Sequence, residues 1–589
     1  MSANNFGDDS EVTNSSQQSY ELCGDNNYSE NDDVNTESDT KSAHSSYSNA
    51  TYSATYSGND VVINQIDNEH FTDHNIDDNS IRKPRPLRKT CCTIITLLIG
   101  LLLFAWGLVT LAVPIYDFVL VQRLRMQPGL PPYEEWVIPT PEVRLSVYIF
   151  SVENPDTFLD GTDEKLRLIE IGPIVYREIL HHENVKFHEN STLSYSANRW
   201  VEFLEDQNEP GILQRVILVP NFVLLATAAS LNENWIKKLG FNSMLGDEDT
   251  VFLNMTVFDY LWFYRSSVIQ RVQNIASFLV PTNNSGCLHQ IYADFNDRYN
   301  VRIGPGYGAK DFFEITSVNG KTVVPGFDVA HGECNASIIG STEGALYRNH
   351  LTEDSVLWYW RKPLCRKVPL YFEKKVQKGP FEAYRYILRE DVYDRFENET
   401  LDCYKGSFQL LPDGLSDVSK CFFDMPFAAS NPHFYGRYPN ALTNKLEGFK
   451  PIRERHQSFI IVEPIMGVPI DQSARSQSNV IIPDLYGFND KIQRFSNMAL
   501  PTFWVEYHQR QLTQSIENLL YFTLFVLPVL QYVITAVLLL VGVMCLTIGV
   551  LRCMPPNEEK HQNSPQSSPS SKFGTNCKLH EAEITWNFK

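Results

Sequence analysis

Two stretches of the chain contain no charged residue, and the remaining pattern is organised around them. Residues 90–116 give 27 such positions and residues 518–551 give 34, both dense in Leu, Ile and Val. About 20 apolar residues span a bilayer as a helix, so membrane helices are predicted over 90–116 and 520–551, with Pro528 and Gln531 loosening the outer end of the second. A buried helix of a soluble protein seldom stays uncharged for so long. Between the two stretches, apolar residues mostly recur at strand spacing and are punctuated by Gly, Pro and Asn. LSVYIFSVENP alternates up to an Asn-Pro turn, LRLIEIGPIVYREIL carries two apolar runs split by Gly172-Pro173, and QRVILVP, SFIIVEP and NVIIP each stop at proline. Antiparallel strands are predicted. Helical spacing intrudes in TAASLNENWIKKLGFNSML, where Leu231, Trp235 and Leu239 recur at i, i+4 and i+8, and in residues 256–264, with Thr256 as cap.

Charge divides the chain further. Residues 1–80 hold sixteen acidic residues and one lysine, are rich in Ser, Asn and Tyr, and lack the apolar content to build a core. They are expected to be disordered, and the acidic tail 1–89 closes on five cations, Arg82, Lys83, Arg85, Arg88 and Lys89, ahead of the first span. Cations flanking a span favour the cytosolic side, which makes the tail 1–89 cytosolic. Two crossings bring the tail 552–589 back to the same side, with the segment 117–519 outside. The long tail and long apolar run argue against a cleaved signal peptide. A formal net charge of −20 excludes nucleic acid as main partner.

The middle segment fits an extracytosolic setting. It carries five N-x-[ST] sequons, at Asn190, Asn254, Asn283, Asn335 and Asn398, expected to be glycosylated. Five of eleven cysteines lie there, Cys287, Cys334, Cys365, Cys403 and Cys421, enough for two disulfides and one remaining thiol. Cys91, Cys92 and Cys553 sit at the membrane boundaries, where palmitoylation competes with the plainer reading of a small residue in a helix end.

The middle segment also resembles the class B scavenger receptors, a family that includes a fatty acid translocase and a lysosomal integral membrane protein. The likeness rests on VENPDTFLDG with Asn154-Pro155, EIGPIVYRE from Glu170 to Glu178, the NGK turn at Asn319 to Lys321, ECNASIIGS around Cys334, NPHFYG with His433, and VEPIMG with Glu463-Pro464. The resemblance implies an α+β fold: an irregular antiparallel β-barrel ectodomain with an apical helical bundle, anchored by two transmembrane helices. By the same resemblance an apolar tunnel would lead toward the bilayer, the helix bearing Trp235, Lys237, Lys238 and Phe241 would meet ligand, Cys365 would pair with Cys421, and Cys334 with Cys403. The family's small cysteine loop is absent, since Lys405 and Leu411 occupy that stretch. The acidic run Asp247, Glu248 and Asp249 after the apical helix departs from the lysines of several relatives and shifts expectation toward a neutral lipid or sterol.

The expected function is a plasma membrane receptor, with endosome or lysosome as the other location, that binds lipids, lipoproteins or apoptotic and microbial particles. It would pass fatty acid, sterol or carotenoid to the bilayer. A phagocytic or adhesion receptor without transport shares the fold, and a two-span ligand-gated channel shares the topology but usually carries more extracellular cysteines. No catalytic residue, metal site or cofactor is assigned. G-x-S-x-G, H-E-x-x-H and a Walker lysine are absent, the glycines of residues 304–310 are wrongly spaced for phosphate, and His331 with Cys334 or His181-His182-Glu183 stand without a second ligand pair.

Overall fold

In a computed structural model, the described residues are 87–113, 115–123, 125–276, 284–293, 297–304, 311–324, 336–395 and 411–554. The acidic tail up to residue 86 and the segment 555–589 lie outside them.

Both uncharged stretches are helical. The first helix, Leu87–Ala112, stops two positions short of Pro114, whose ring nitrogen cannot donate to a helix. The second span reads Gln514–Cys553 and passes through a π-helical turn at Phe522–Val526. Both are long and apolar enough to cross a membrane. They pack antiparallel through glycine. A methyl group at Gly542 would sit 2.8 Å from the Phe104 backbone nitrogen, and one at Gly100 would meet Cys545 and Leu546 at 3.0 Å. Lipid offers no hydrophobic drive for such pairing, so close backbone approach and internal hydrogen bonds must supply it. Buried Gln531 donates to the Thr110 carbonyl at 2.9 Å, and Thr535 bonds the Thr110 hydroxyl at 3.0 Å. Gln531, which loosened the sequence reading of this span, is thus part of the clasp between the helices. A Gly100→Cys variant should form a disulfide with Cys545 under mild oxidant, scored as loss of maleimide-reactive thiol; persistence of both thiols would contradict this pairing.

The strands, in chain order, are β1 (Val143–Val152), β2 (Leu166–Phe187), β3 (Thr192–Phe203), β4 (Val216–Pro220), β5 (Phe252–Thr256), β6 (Arg298–Arg302), β7 (Ile315–Val318), β8 (Val356–Arg361), β9 (Arg366–Lys378), β10 (Phe381–Ile387), β11 (Ser416–Asp417), β12 (Phe427–Ser430), β13 (Leu446–Glu447), β14 (Phe459–Glu463), β15 (Val468–Ile482) and β16 (Met498–Gln509). Fourteen share one sheet, whose path runs β7-β6-β3-β2-β1-β16-β15-β14-β10-β9-β8; β4 and β5 pair separately. Neighbours along this path are antiparallel, as the turn-punctuated pattern predicts.

The closed barrel is not established. The ladder is an open path, and β7 and β8 at its two ends share no ladder. A short segment touches both edges: Ser341 accepts from Ile315 of β7 at 2.8 Å, and Thr342 donates to Trp358 of β8 at 2.8 Å.

Two further sequence expectations change. Gly172-Pro173 does not separate two strands but lies inside β2, at a bulge opposite Val147/Ile149. Gly172 has φ 141°, and a Cβ there would stand 2.6 Å from the Val147 carbonyl oxygen, so glycine lets the two strands stay paired. The helical run around Trp235 is two helices, Phe222–Leu231 and Trp235–Met244, because Asn234 leaves helical geometry and caps the second through the backbone amides of Ile236 and Lys237. Thr256 caps Val257–Trp262 as predicted, accepting from the Asp259 amide at 3.0 Å.

Register fixes the direction of the body. Val143 at the start of β1 pairs with Gln509 at the end of β16, so the chain enters and leaves the sheet side by side next to the spans. Met498, at the other end of β16, pairs with Ile482. Twelve residues at ~3.3 Å each put that end about 40 Å away. The helix Trp235–Met244 is docked on the 483–497 connection there: Lys238 Nζ donates to the Tyr486 carbonyl at 2.5 Å and Asn242 to Gly487 at 2.9 Å.

Candidate functional site

A cavity of about 770 Å³ lies inside this body, within the range of roughly 300–1,000 Å³ usual for small-molecule sites. Its lining joins the two ends. Leu231, Lys237 and Val268 contribute from the membrane-distal helices, and Leu512, Ile516 and Leu519 from the residues leading into the second span. Strand residues between them are largely apolar, such as Val368, Ile460, Ala474 and Val505. Cys287 also lines it; the thiol is buried, and burial pushes its pKa up to about 12, so it is an inert neutral wall group.

One part of the wall is charged. Glu178 of β2, Arg199 of β3, Glu343 and Arg361 of β8 all line the cavity. Arg199 bridges the two carboxylates at 2.9 Å each, and Arg361 reaches Glu178 at 2.7 Å. Tyr292 donates to Glu178 at 2.6 Å and Tyr195 to Glu343 at 2.7 Å. His182 joins Glu343 at 2.8 Å and, through its other nitrogen, reaches the Trp136 carbonyl at 2.6 Å, with the Trp136 ring stacked 4.3 Å from the imidazole. Burial pushes both carboxyls up, but the cations beside them outweigh it: Arg361 and Arg199 hold Glu178 below the ordinary range, and His182 and Arg199 bring Glu343 down to about 2.

A carboxyl group with its folded pKa lowered stabilises the fold above its unfolded value and loses that contribution as pH falls through the folded one. For Glu343 the window runs from 4.5 down to about 2. The thermal advantage of the wild type over Glu343→Gln should therefore be full from pH 7 to 5 and shrink below pH 4.5. A constant gap down to pH 3 would mean that the charge of Glu343 is not what stabilises this wall.

The four residues assigned to ligand contact divide. Trp235 is 73% exposed and shares an outward apolar face with exposed Ile236 and Leu239. Lys237 lines the cavity. Lys238 is held by Tyr486 and lies 5.2 Å over the Phe488 ring, and Phe241 is buried against the same ring. The acidic run nearby is partly neutralised, for Arg271 pairs with both Glu248 and Asp249.

The CD36 family model matches residues 95–553, from the first span to the end of the second. The chain belongs to the CD36 family. Among curated relatives it is 26% identical over 465 residues to scavenger receptor class B member 1 of Sus scrofa, covering 77% of this chain and 87% of that protein. It is 27% identical over 466 residues to the same receptor of Cricetulus griseus, with equal coverage. Against lysosome membrane protein 2 of Rattus norvegicus the identity is 25% over 404 residues, covering 68% of this chain and 82% of the relative.

The motifs by which the CD36-family likeness was legible act here mostly as locks. The Asn154 side chain bonds Asp163, the Lys165 carbonyl and the Arg167 amide. Glu170 accepts from His433 and Trp504 at 2.8 Å each and from Arg455. Glu463 caps its own turn through the amides of Ile465 and Met466. Of the motif residues, Glu178 and Met466 reach the cavity wall, where Arg199, Glu343 and Arg361 carried no sequence signal.

The Cys365–Cys421 disulfide is formed. Cys334 and Cys403 lie outside the described residues, as do Asn283, Asn335 and Asn398. Asn190 and Asn254 are exposed, as are Cys91, Cys92 and Cys553. Among the described residues no group of three or more His, Cys, Asp or Glu could hold a metal ion.

Proposed function

We propose that this CD36-family protein is a cell-surface scavenger receptor that binds extracellular lipids or lipid-bearing particles and passes hydrophobic cargo to the membrane through its cavity. The observation that carries the reading is that one cavity is lined both by Leu231 and Lys237 at the distal end and by Ile516 and Leu519 beside the second span. At about 0.8 kcal/mol per CH₂, a sixteen-carbon chain faces a barrier on the order of 12 kcal/mol if it crosses water exposed. An apolar enclosure removes much of that cost, and no nucleotide or cofactor is needed because the lipid runs down its own chemical potential. Exposed Trp235, Ile236 and Leu239 supply the apolar face for particle docking, with Lys237 at the cavity mouth. The protein acts as a receptor rather than an enzyme. Its sidedness follows the basic residues at 82–89: both tails cytosolic, the sheet body outside, glycans on Asn190 and Asn254, and acyl groups on Cys91, Cys92 and Cys553.

The plasma membrane is the proposed location, with an endosomal or lysosomal membrane as the second, favoured by the likeness to a lysosome membrane protein. Cells expressing the full chain, given particles labelled separately in shell and core with fatty acid, sterol or carotenoid, should take core label into the membrane without shell. Shell and core that always enter together, or bound shell with no core uptake, would reduce the protein to a phagocytic or adhesion receptor.

A further inference from the structure

A second, smaller pocket lies at the foot of the body, where the sheet meets the second span. It encloses about 490 Å³, within the range of roughly 300–1,000 Å³ usual for small-molecule sites. Its floor is apolar and comes from both parts of the chain: Phe381 at the start of β10, and Leu524 and Phe525 in the π-helical turn of the span. The Phe381 and Phe525 rings stand 6.1 Å apart. Exposed Tyr521, Phe522 and Phe525 cluster on this turn, just ahead of the uncharged run that ends at Leu551. Aromatic side chains gather in membrane spans at the level of the lipid head groups, so the pocket stands where a bilayer changes from polar to apolar.

Its rim is polar, and the polar groups are of two kinds. An imidazole carries at least one N–H and a phenol carries its O–H, so His350 and Tyr384 bring hydrogen-bond donors to the pocket. Among the described residues neither side chain has a hydrogen-bond partner. Glu382, two positions before Tyr384 on β10, brings a carboxylate. Its neighbour Lys375 is committed to Glu353 at 2.9 Å and reaches Glu382 only at 4.0 Å. The pocket therefore offers donors for an anion, a carboxylate for a cation, and an apolar floor continuous with the span.

We propose that this pocket holds the head of a zwitterionic phospholipid from the leaflet next to the sheet body. The phosphate diester takes hydrogen bonds from His350 and Tyr384, the ammonium lies beside Glu382, and the acyl chains run past Leu524 and Phe525 along the span. An anionic phospholipid would offer Glu382 no cation, and a diacylglycerol would offer the donors no phosphate. The site stands apart from the larger cavity, across the turn that carries Glu463: Pro464 and Ile465 face the small pocket and Met466 the large one. Leu519 of the large cavity and Leu524 of the small one are five positions apart in the same span, so the seated lipid borders the lower end of that cavity.

Dioleoyl phosphatidylcholine, dioleoyl phosphatidylglycerol and dioleoylglycerol share their chains and differ at the head. Equilibrium binding of each in radiolabelled form to the detergent-solubilised full-length protein, corrected for lipid carried by micelles alone, should favour phosphatidylcholine over both others by about tenfold. Glu382→Arg should invert the order of the two phospholipids, and His350→Asp should weaken both without affecting dioleoylglycerol. Aspartate tolerates the left-handed backbone at His350, φ 54°, and both side chains are exposed, so the variants should fold. Neither residue borders the larger cavity, so lipid held there does not respond to these changes. Equal wild-type affinity for phosphatidylcholine and dioleoylglycerol overturns the proposal, as does an unchanged head-group order in Glu382→Arg.

Discussion

Truncation of Glu178 to alanine should destabilise the protein by about 3–5 kcal/mol, the cost seen when one partner of a buried ionic group is removed. Glu178 is the acceptor for Arg199, Arg361 and Tyr292 at once. Its loss takes from Arg361 the carboxylate 2.7 Å away and leaves Arg199 facing Glu343 across a wall with one negative charge fewer. Glu178→Gln keeps the shape and one acceptor oxygen while removing the charge, so it should fall between wild type and alanine. Denaturant unfolding of the detergent-solubilised protein, followed by tryptophan fluorescence, gives the comparison. A loss below 1 kcal/mol for the alanine variant would mean that water in the cavity screens these groups, and burial would not be what makes the pairing strong.

Ala474→Trp should lower cellular lipid uptake at least tenfold with particle binding intact. Ala474 lines the cavity from β15, opposite Tyr507 of β16, two residues from the Gln509 end of that strand beside the spans. An indole there fills space that an acyl chain would have to pass, and nothing on the exposed face around Trp235 changes. Ala474→Ser, close in size, should transport normally. Surface biotinylation controls for delivery to the membrane. Normal uptake of fatty acid, sterol and carotenoid by a surface-expressed Ala474→Trp protein would reject the cavity as the route and leave recognition as the function.

How much of this was legible before the fold was known depended on the range over which each feature is encoded. The spans are local: length and absence of charge are sufficient, and both helices appear where the uncharged stretches lie. Strand and cap signals are nearly as local, as Thr256 shows. Gly172-Pro173 misled because a glycine-proline pair reads as a chain break, whereas here the glycine gives room for the Val147 carbonyl of the neighbouring strand. The run around Trp235 misled because its apolar spacing continues across Asn232–Asn234, and only the cap at Asn234 reveals the interruption. The charged wall was out of reach for a different reason. His182 looked isolated in the sequence because its partner Glu343 stands 161 positions away, and Arg361 is 183 from Glu178. No spacing rule connects residues that meet only when a fourteen-stranded sheet has assembled.

The neighbouring first and last strands have an engineering corollary. Since Val143 and Gln509 are partners in adjacent strands, the two necks of the sheet-bearing body emerge as a pair. A water-soluble version with those necks joined to any antiparallel helical hairpin would replace the two apolar helices and hold Leu512, Ile516 and Leu519 against the cavity as they stand here.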